Sequence, residues 1–280
     1  MSIKYSDFKV LAADGVDLQC VLWQGTGDAR GVICLIHGIG EHSGRYDHFA
    51  RKFAEIGYPV LSFDLRGHGR SGGKRGHSPS GECIMRDLEK LLAEARSAFR
   101  NLPIFLYGHS LGGLLVINLL LGQETGVAAA IVSGPALRPI FPIPQWKLSV
   151  SRILRRIIPT LSIPTGLNAE DISRDPLVVA RYKADKFVHS QVSVAMAMDV
   201  LAMGDWALAN AQKLKTPMLV MHGLQDRLTS AVASKEFSLS AGALCEFKGW
   251  DDLWHELHNE PEWEVVFLFV SSWMEKAQNP

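Results

Sequence analysis

Gly108-His109-Ser110-Leu111-Gly112 is the stretch that decides the fold, since it has the G-x-S-x-G pattern of a serine placed on a sharp turn. The apolar residues 104–107 precede it, and the apolar residues 111–121 follow it. A strand that turns into a helix at flanking glycines projects the serine above the carboxyl edge of a sheet. The pattern therefore predicts that Ser110 is a nucleophile.

A second stretch, Gly69-Arg70-Ser71-Gly72-Gly73, has the same pattern. Gly76 and Pro79 follow it, so no helix can begin directly after Ser71. We interpret Ser71 as part of a structural turn, because only Ser110 lies between a predicted strand and a predicted helix.

Short, continuously apolar runs recur outward from the pattern, as is typical of strands covered on both faces of a parallel sheet. These runs are residues 32–36, 59–63, 104–107, 128–132, 217–221 and 244–247. Helix-like stretches occupy residues 46–56, 80–99, 111–121, 230–239 and 260–276, the last with Asn259 as its expected N-cap. Residues 8–11 and 18–22 flank an Asp14-Gly15 turn, which predicts a hairpin. The alternation predicts an α/β fold with a mostly parallel central sheet flanked by helices.

Residues 135–210 interrupt this alternation, because no strand-like run occurs there and prolines separate amphipathic stretches such as 148–158 and 191–203. We expect a helical cap inserted into a core made of residues 1–134 and 211–280. Part of the cap combines apolar with basic residues: Ile140, Phe141, Ile143, Trp146 and Leu148 beside Lys147, Arg152, Arg155 and Arg156. That combination suits transient contact with a membrane surface, although apolar residues packed on the core are an equal alternative.

The composition argues against several classes of function. The 29 basic residues balance the 29 acidic ones, so we expect no nucleic-acid partner. The four cysteines have no metal-binding spacing, and neither a metal nor a cofactor is expected. The first ten residues lack the apolar core of a signal peptide, and residues 111–121 are too few for a membrane span of about 20 residues. We expect a cytoplasmic protein, peripheral at a membrane at most.

A serine nucleophile needs a histidine base and a carboxylate that orients the base. In this architecture the chain order is Ser, then Asp or Glu, then His, and His222, His255 and His258 follow the cap. His222 precedes any candidate carboxylate and is interpreted as structural. The sequence favours His255 over His258, in part through the family resemblance given below.

Asp226 is the preferred carboxylate, because it lies just after the strand-like residues 217–221, on the edge expected to hold Ser110. Asp251 and Asp252 are nearer to His255 in sequence but are typical of solvated loop acids. Asp199 and Asp205 fall in the cap.

Backbone N–H groups are the expected oxyanion donors. Leu111 begins the helix after Ser110, where the N–H groups are free. The glycine-rich loop His37-Gly38-Ile39-Gly40 follows the strand-like residues 32–36, so Ile39 N–H is the second candidate. An ordinary tight turn is the alternative for this loop.

Five segments together resemble the monoacylglycerol lipase and lysophospholipase branch of the α/β-hydrolase superfamily. They are residues 37–46 (HGIGEHSGRY), 64–71 (DLRGHGRS), 108–112, 222–226 (HGLQD) and 255–261 (HELHNEP). The resemblance runs almost end to end and implies the α/β-hydrolase fold. It also implies that His255 is the base and that Ile39 and Leu111 supply the oxyanion hole.

The resemblance implies further that Glu41, Arg45 and His258 bind the glycerol hydroxyls of a lipid ester. An i,i+4 surface ion pair is the alternative for Glu41 and Arg45. The chain departs from the family in two places: Leu228-Thr229-Ser230 stands where mammalian members have a cysteine, and the loop of residues 249–254 is longer. The expected activity is hydrolysis of monoacylglycerols to fatty acid and glycerol through an acyl-enzyme. Lysophospholipase or general carboxylesterase activity is the alternative, and a non-catalytic binding protein is a weaker one.

Overall fold

The computed structural model describes residues 2–278. Its strands, in chain order, are β1 (Ile3–Leu11), β2 (Asp17–Gly25), β3 (Val32–Ile36), β4 (Val60–Phe63), β5 (Ile104–His109), β6 (Ala129–Ser133), β7 (Ser162–Pro164), β8 (Gln191–Ser193), β9 (Met218–Gly223) and β10 (Cys245–Trp250). Its α-helices are α1 (Asp47–Glu55), α2 (Gly81–Ala98), α3 (Leu111–Gly122), α4 (Gln145–Ile157), α5 (Pro176–Ala184), α6 (Val194–Ala209), α7 (Ala231–Ala241) and α8 (Trp263–Gln278).

Eight strands form one sheet in the order β1-β2-β4-β3-β5-β6-β9-β10. The pairs β4/β3, β3/β5, β5/β6, β6/β9 and β9/β10 are parallel, while β1/β2 and β2/β4 are antiparallel. The six predicted strand runs and the predicted hairpin are therefore confirmed, and so is the α/β-hydrolase class. The parallel strands direct their carboxyl ends to one edge, where the predicted site residues lie.

The two faces of the sheet bury separate hydrophobic clusters, because side chains alternate along each strand. In β3, Val32, Cys34 and Ile36 join the cluster that packs against α2 and α3. Ile33 and Leu35 join the opposite cluster, which packs against α1 and α8. The strand is buried along its whole length, so its run had to be continuously apolar.

The segment between β6 and β9 contains α4, α5 and α6, as the predicted insertion requires. The prediction that this segment has no strands is wrong, because β7 and β8 pair as a short antiparallel sheet. Each has only three residues, which is too few to leave a periodic signal. The division into a cap of residues 135–210 and a core stays a prediction.

The last helix begins at Trp263, and the predicted N-cap at Asn259 is wrong. Glu260 has extended backbone, as a residue before proline prefers, so a helix cannot run through it. Asn259 instead donates its side-chain N–H to Glu256. Among the helices within residues 2–278, none has the length and apolar character to cross a membrane.

Candidate active site

Ser110 lies on a strained turn between β5 and α3. Its φ of 52° and ψ of −114° fall in a region that side-chain-bearing residues rarely adopt. A Cβ at Gly108 would lie 2.5 Å from the carbonyl oxygen of Gly112, and a Cβ at Gly112 would lie 2.1 Å from that of Ile36. Glycine at both positions therefore lets the turn close, as the sequence pattern predicts.

His255 and Asp226 meet at the same edge of the sheet. His255 Nδ1 is 2.7 Å from Asp226 Oδ2, and both side chains are buried. Since a carboxylate only accepts, Nδ1 carries the proton and the lone pair of Nε2 is free to act as a base. The backbone N–H groups of Leu224 and Gln225 donate to the carbonyl oxygens of Trp250 and Leu253. These bonds tie the loop after β10 to the turn that holds Asp226, so the loop does not displace His255.

The charges of this pair are mutually stabilised. Burial lowers the pKa of His255, but the adjacent Asp226 carboxylate outweighs burial and raises that pKa above its usual value. Burial raises the pKa of Asp226, but His255 and His222 override it and hold that pKa well below the usual range. Asp226 thus stays ionised. Its charge stabilises the imidazolium that forms when His255 takes up a proton.

His222, which the sequence indicates to be structural, makes a specific contact with Asp226. His222 Nε2 is 2.9 Å from Asp226 Oδ2, and its Nδ1 is 2.8 Å from Ser234 Oγ. Thr229 Oγ1 also donates to Asp226 Oδ2, at 2.9 Å. No sequence pattern signals this contact, because i,i+4 spacing pairs side chains within a helix and His222 lies in strand β9.

The candidate oxyanion donors flank Ser110. An ideal Cβ on Gly38 would lie 3.1 Å from Ser110 Cβ, so the loop after β3 passes directly beside the nucleophile. Within residues 2–278, the backbone N–H groups of Ile39 and Leu111 have no hydrogen-bond partner. Free backbone N–H groups near a nucleophile are the kind of donor that an oxyanion hole uses.

Glu41 and Arg45 form a buried network, not the surface ion pair considered as an alternative. Arg45 donates to Glu41 Oε2 at 2.5 Å and makes a bidentate pair with Glu256 at 2.6 and 2.7 Å. Tyr182 covers the Arg45 guanidinium, whose carbon is 4.7 Å from the ring centre. Glu256 was missed because it lies 211 residues from its partner.

His258 is fully buried and does not line the cavity beside Ser110. Its ring stacks on Tyr46 at 4.2 Å and lies 4.9 Å from the ring of His109. Burial holds its pKa well below the usual range. The structure therefore brings Glu41 to the site but leaves His258 behind Tyr46.

The remaining candidates lie outside the cluster. Ser71 is fixed in a turn, where it donates to Asp64 O at 2.5 Å and accepts from Gln19 N at 2.8 Å. Asp251, Asp252 and Asp205 are exposed. Asp199 pairs with Arg155 on the surface.

A small cavity of about 20 Å³ lies beside Ser110. Its lining includes, from the core, Ile39, Glu41, His109, Ser110, Leu228 and His255, and, from the segment between β6 and β9, Leu167, Ile172 and Tyr182. This volume holds about one water molecule. Among residues 2–278, no group of three or more His, Cys, Asp or Glu side chains is arranged to hold a metal ion.

Comparisons with known proteins agree with this geometry. Residues 27–262 match the Hydrolase_4 family, described as serine aminopeptidase, S33. The chain is 34% identical over 271 residues to a monoacylglycerol lipase of Mycolicibacterium smegmatis, covering 96% of each protein. It is also 34% identical over 274 residues to an abhydrolase domain-containing protein of Dictyostelium discoideum, covering 96% of this chain but only 29% of that protein. The crystal structure of Paleococcus ferrophilus monoacylglycerol lipase superposes with a TM-score of 0.83 at 30% identity, over 99% of this chain and 100% of that one.

Proposed function

Because the chain belongs to the Hydrolase_4 family and to the monoacylglycerol lipase branch of the α/β-hydrolase superfamily, it is a serine ester hydrolase, and we propose that it cleaves monoacylglycerols to fatty acid and glycerol. The observation that carries this proposal is the strained Ser110 turn beside the buried His255–Asp226 pair. The relatives named monoacylglycerol lipase support the substrate class.

The reaction proceeds by acyl transfer in two steps. His255 Nε2 takes the Ser110 proton as Ser110 Oγ attacks the ester carbonyl, and the N–H groups of Ile39 and Leu111 bind the oxyanion. The C–O bond to glycerol then breaks, His255 returns the proton to the leaving oxygen, and the acyl-enzyme remains. Water activated by His255 hydrolyses this acyl-enzyme and restores Ser110. Asp226 orients His255 throughout.

Glu41, Arg45 and His258 form the proposed glycerol site. Glu41 supports this assignment directly, since it lines the cavity beside Ser110. Arg45 lies one contact further away, paired with Glu41 and Glu256. His258 is fully buried, so its participation requires a rearrangement around Tyr46 when glycerol binds.

Substrate entry requires that the inserted segment, residues 135–210, acts as a movable cap, because a cavity of about 20 Å³ beside Ser110 has no room for an acyl chain. The exposed apolar face of α4 supports the proposal that the protein is cytoplasmic and makes transient contact with a membrane surface. None of the residues of α4 is buried, and Trp146, Ile153 and Ile157 are exposed. Basic residues on the same helix suit an anionic lipid surface.

A substrate panel tests the proposal. We expect the protein to hydrolyse monoacylglycerols faster than lysophosphatidylcholine or short p-nitrophenyl esters, with free glycerol as the product. Ser110→Ala should abolish all three activities, and Ser71→Ala should retain them. Undiminished turnover by Ser110→Ala would contradict the nucleophile, and faster cleavage of lysophosphatidylcholine would replace the proposed substrate with the alternative one.

A further inference from the structure

We infer that Glu41 is a positioning residue of the oxyanion hole. Glu41 fixes the peptide before Gly38, and His37 fixes the peptide after it, which presents the Ile39 N–H. The two residues together clamp Gly38 and serve every ester substrate, not only those that carry glycerol. This inference rests on the proposed acyl transfer at Ser110. It adds to the glycerol-binding role implied by the family resemblance, which makes no demand on the backbone of Gly38.

The Gly38 backbone is held on both sides. Its N–H donates to Glu41 Oε1 at 2.6 Å, and its carbonyl oxygen accepts from His37 Nδ1 at 2.7 Å. His37 is itself fixed, because the backbone N–H of Leu65 donates to its Nε2 at 2.8 Å. A ring that accepts at Nε2 must carry its proton on Nδ1, so the direction of the bond to Gly38 is defined.

Holding the Gly38 carbonyl sets the direction of the Ile39 N–H. The two groups belong to one planar trans peptide and point in opposite directions. Glycine is the residue whose backbone dihedrals are least restricted, so without external contacts this peptide can rotate. The bond to Glu41 fixes the preceding peptide, and the bond to His37 fixes the following one.

The Glu41 carboxylate has its own supports. Oε1 also accepts from the hydroxyl of Tyr46 at 2.7 Å, and Oε2 accepts from Arg45 at 2.5 Å. Glu41 is 2% exposed, and although burial raises its pKa, the Arg45 charge holds that pKa below the usual range. It is therefore a charged acceptor, and pairing with Arg45 offsets the repulsion that an isolated carboxylate would exert on an oxyanion.

A preorganised donor contributes mainly in the transition state, so its loss should lower kcat with little change in KM. The test compares Glu41→Ala and Glu41→Gln on p-nitrophenyl butyrate, which has no glycerol. We expect kcat of Glu41→Ala to fall about 100-fold, as for the loss of one oxyanion donor. Glu41→Gln keeps an oxygen that can accept from Gly38 N–H, so we expect a loss of less than about tenfold.

A trifluoromethyl ketone gives a second readout, because it forms a tetrahedral oxyanion on the serine. Its inhibition constant should rise in Glu41→Ala by the same factor as kcat falls. Asp87→Asn is the matched control, since Asp87 is a buried carboxylate paired with Arg66 away from the cavity. It should lose stability but keep its kcat.

Three outcomes are decisive. A kcat of Glu41→Ala within about threefold of wild type on the p-nitrophenyl ester, with a loss on monoacylglycerol alone, would reduce Glu41 to a glycerol ligand. If Glu41→Ala does not fold, a Glu41→Gln variant as inactive as Ser110→Ala would likewise overturn the clamp. Activity retained by Ser110→Ala would instead contradict the proposed function, independently of Glu41.

Discussion

Asp226 makes more hydrogen bonds than the orientation of one histidine requires. Oδ2 accepts from His255, His222 and Thr229, and Oδ1 accepts from the backbone N–H groups of Leu228 and Thr229. A carboxylate with five donors has one possible orientation and a strong preference for its charged form. The position of His255 is therefore determined by a side chain that cannot itself move.

Asp226→Asn should lower kcat/KM about 10,000-fold, because the amide permits the wrong histidine tautomer. The acid limb of the pH profile should also move to lower pH. Only unprotonated His255 is a base, so activity rises with pH through its pKa, which the Asp226 charge raises. Without that charge the pKa falls. The measurement is kcat/KM against pH, with the exposed Asp252→Asn as control. An acid limb that stays in place or moves upward would contradict the pairing.

The sequence could identify the residues that follow a strand in a fixed chain order, and the structure brings Ser110, Asp226 and His255 to one edge of the sheet. It could not identify Glu256, whose significance comes from Arg45, 211 residues away. For His258 the sequence predicts more than the structure shows. Its motif predicts a place in the substrate site, but the ring is buried against Tyr46, and side-chain packing cannot be derived from residue spacing.

At the scale of elements, buried strands were predictable and element ends were not. The run at residues 32–36 coincides with β3, because burial on both faces demands continuous apolar residues. The predicted start of α8 is wrong because Glu260 precedes Pro261 and has extended backbone. The capping pattern around Asn259 and the restriction before proline point to different boundaries, and the restriction before proline decides this one.

Helix α4 differs from the other helices of the inserted segment, because it has no buried residue and four of its apolar side chains, Trp146, Val150, Ile153 and Ile157, are exposed. Ile153 is 58% exposed and Ile157 is 68% exposed. They lie one helical turn apart and share a face. An exposed apolar face on a helix with several basic residues is the feature on which the proposed contact with a lipid surface rests.

The double variant Ile153→Ser with Ile157→Ser should bind anionic phospholipid vesicles about tenfold more weakly, since apolar burial in the interface is lost. Hydrolysis of monoacylglycerol carried in those vesicles should fall in parallel, while hydrolysis of soluble p-nitrophenyl butyrate stays constant. Vesicle co-sedimentation measures the first effect. Leu239→Ser with Leu268→Ser is the matched control, since these residues are 73% and 63% exposed on α7 and α8. Equal weakening in both pairs would remove α4 as a specific contact.

At the scale of the whole molecule, a set of neutral histidines surrounds the site. Four of them are almost completely buried: His37, His68, His109 and His258. Burial lowers the pKa of each, to about 3 for His109. His68 Nε2 and both ring nitrogens of His258 have no hydrogen-bond partner in the described part of the chain. Protonating any of these rings in the fold would place a charge in a buried position.

Acid should therefore destabilise the fold in a defined window. Unfolded histidines bind protons below about pH 6.5, whereas these four stay neutral in the fold, so stability falls as pH falls from that value toward their lowered pKa values. Each contributes about 1.4 kcal/mol per pH unit. His255 acts in the opposite direction, because its raised pKa gives stability that is present below about pH 6.5 and lost as pH rises through its folded pKa. It is one residue against four.

Urea unfolding at about pH 7.5 and about pH 5.5 measures this effect, and the midpoint should be clearly lower at the acid pH. Carboxylates with ordinary or lowered pKa values contribute little in that window, so the slope reports the histidines. His68→Gln should reduce the pH dependence of the unfolding free energy by an amount that corresponds to about one proton per molecule, because glutamine does not titrate. The glutamine amide can still donate to Arg66 O, the partner of His68 Nδ1. A midpoint that is equal at both pH values would show that the buried rings take up protons without cost, which their low exposure and missing partners argue against.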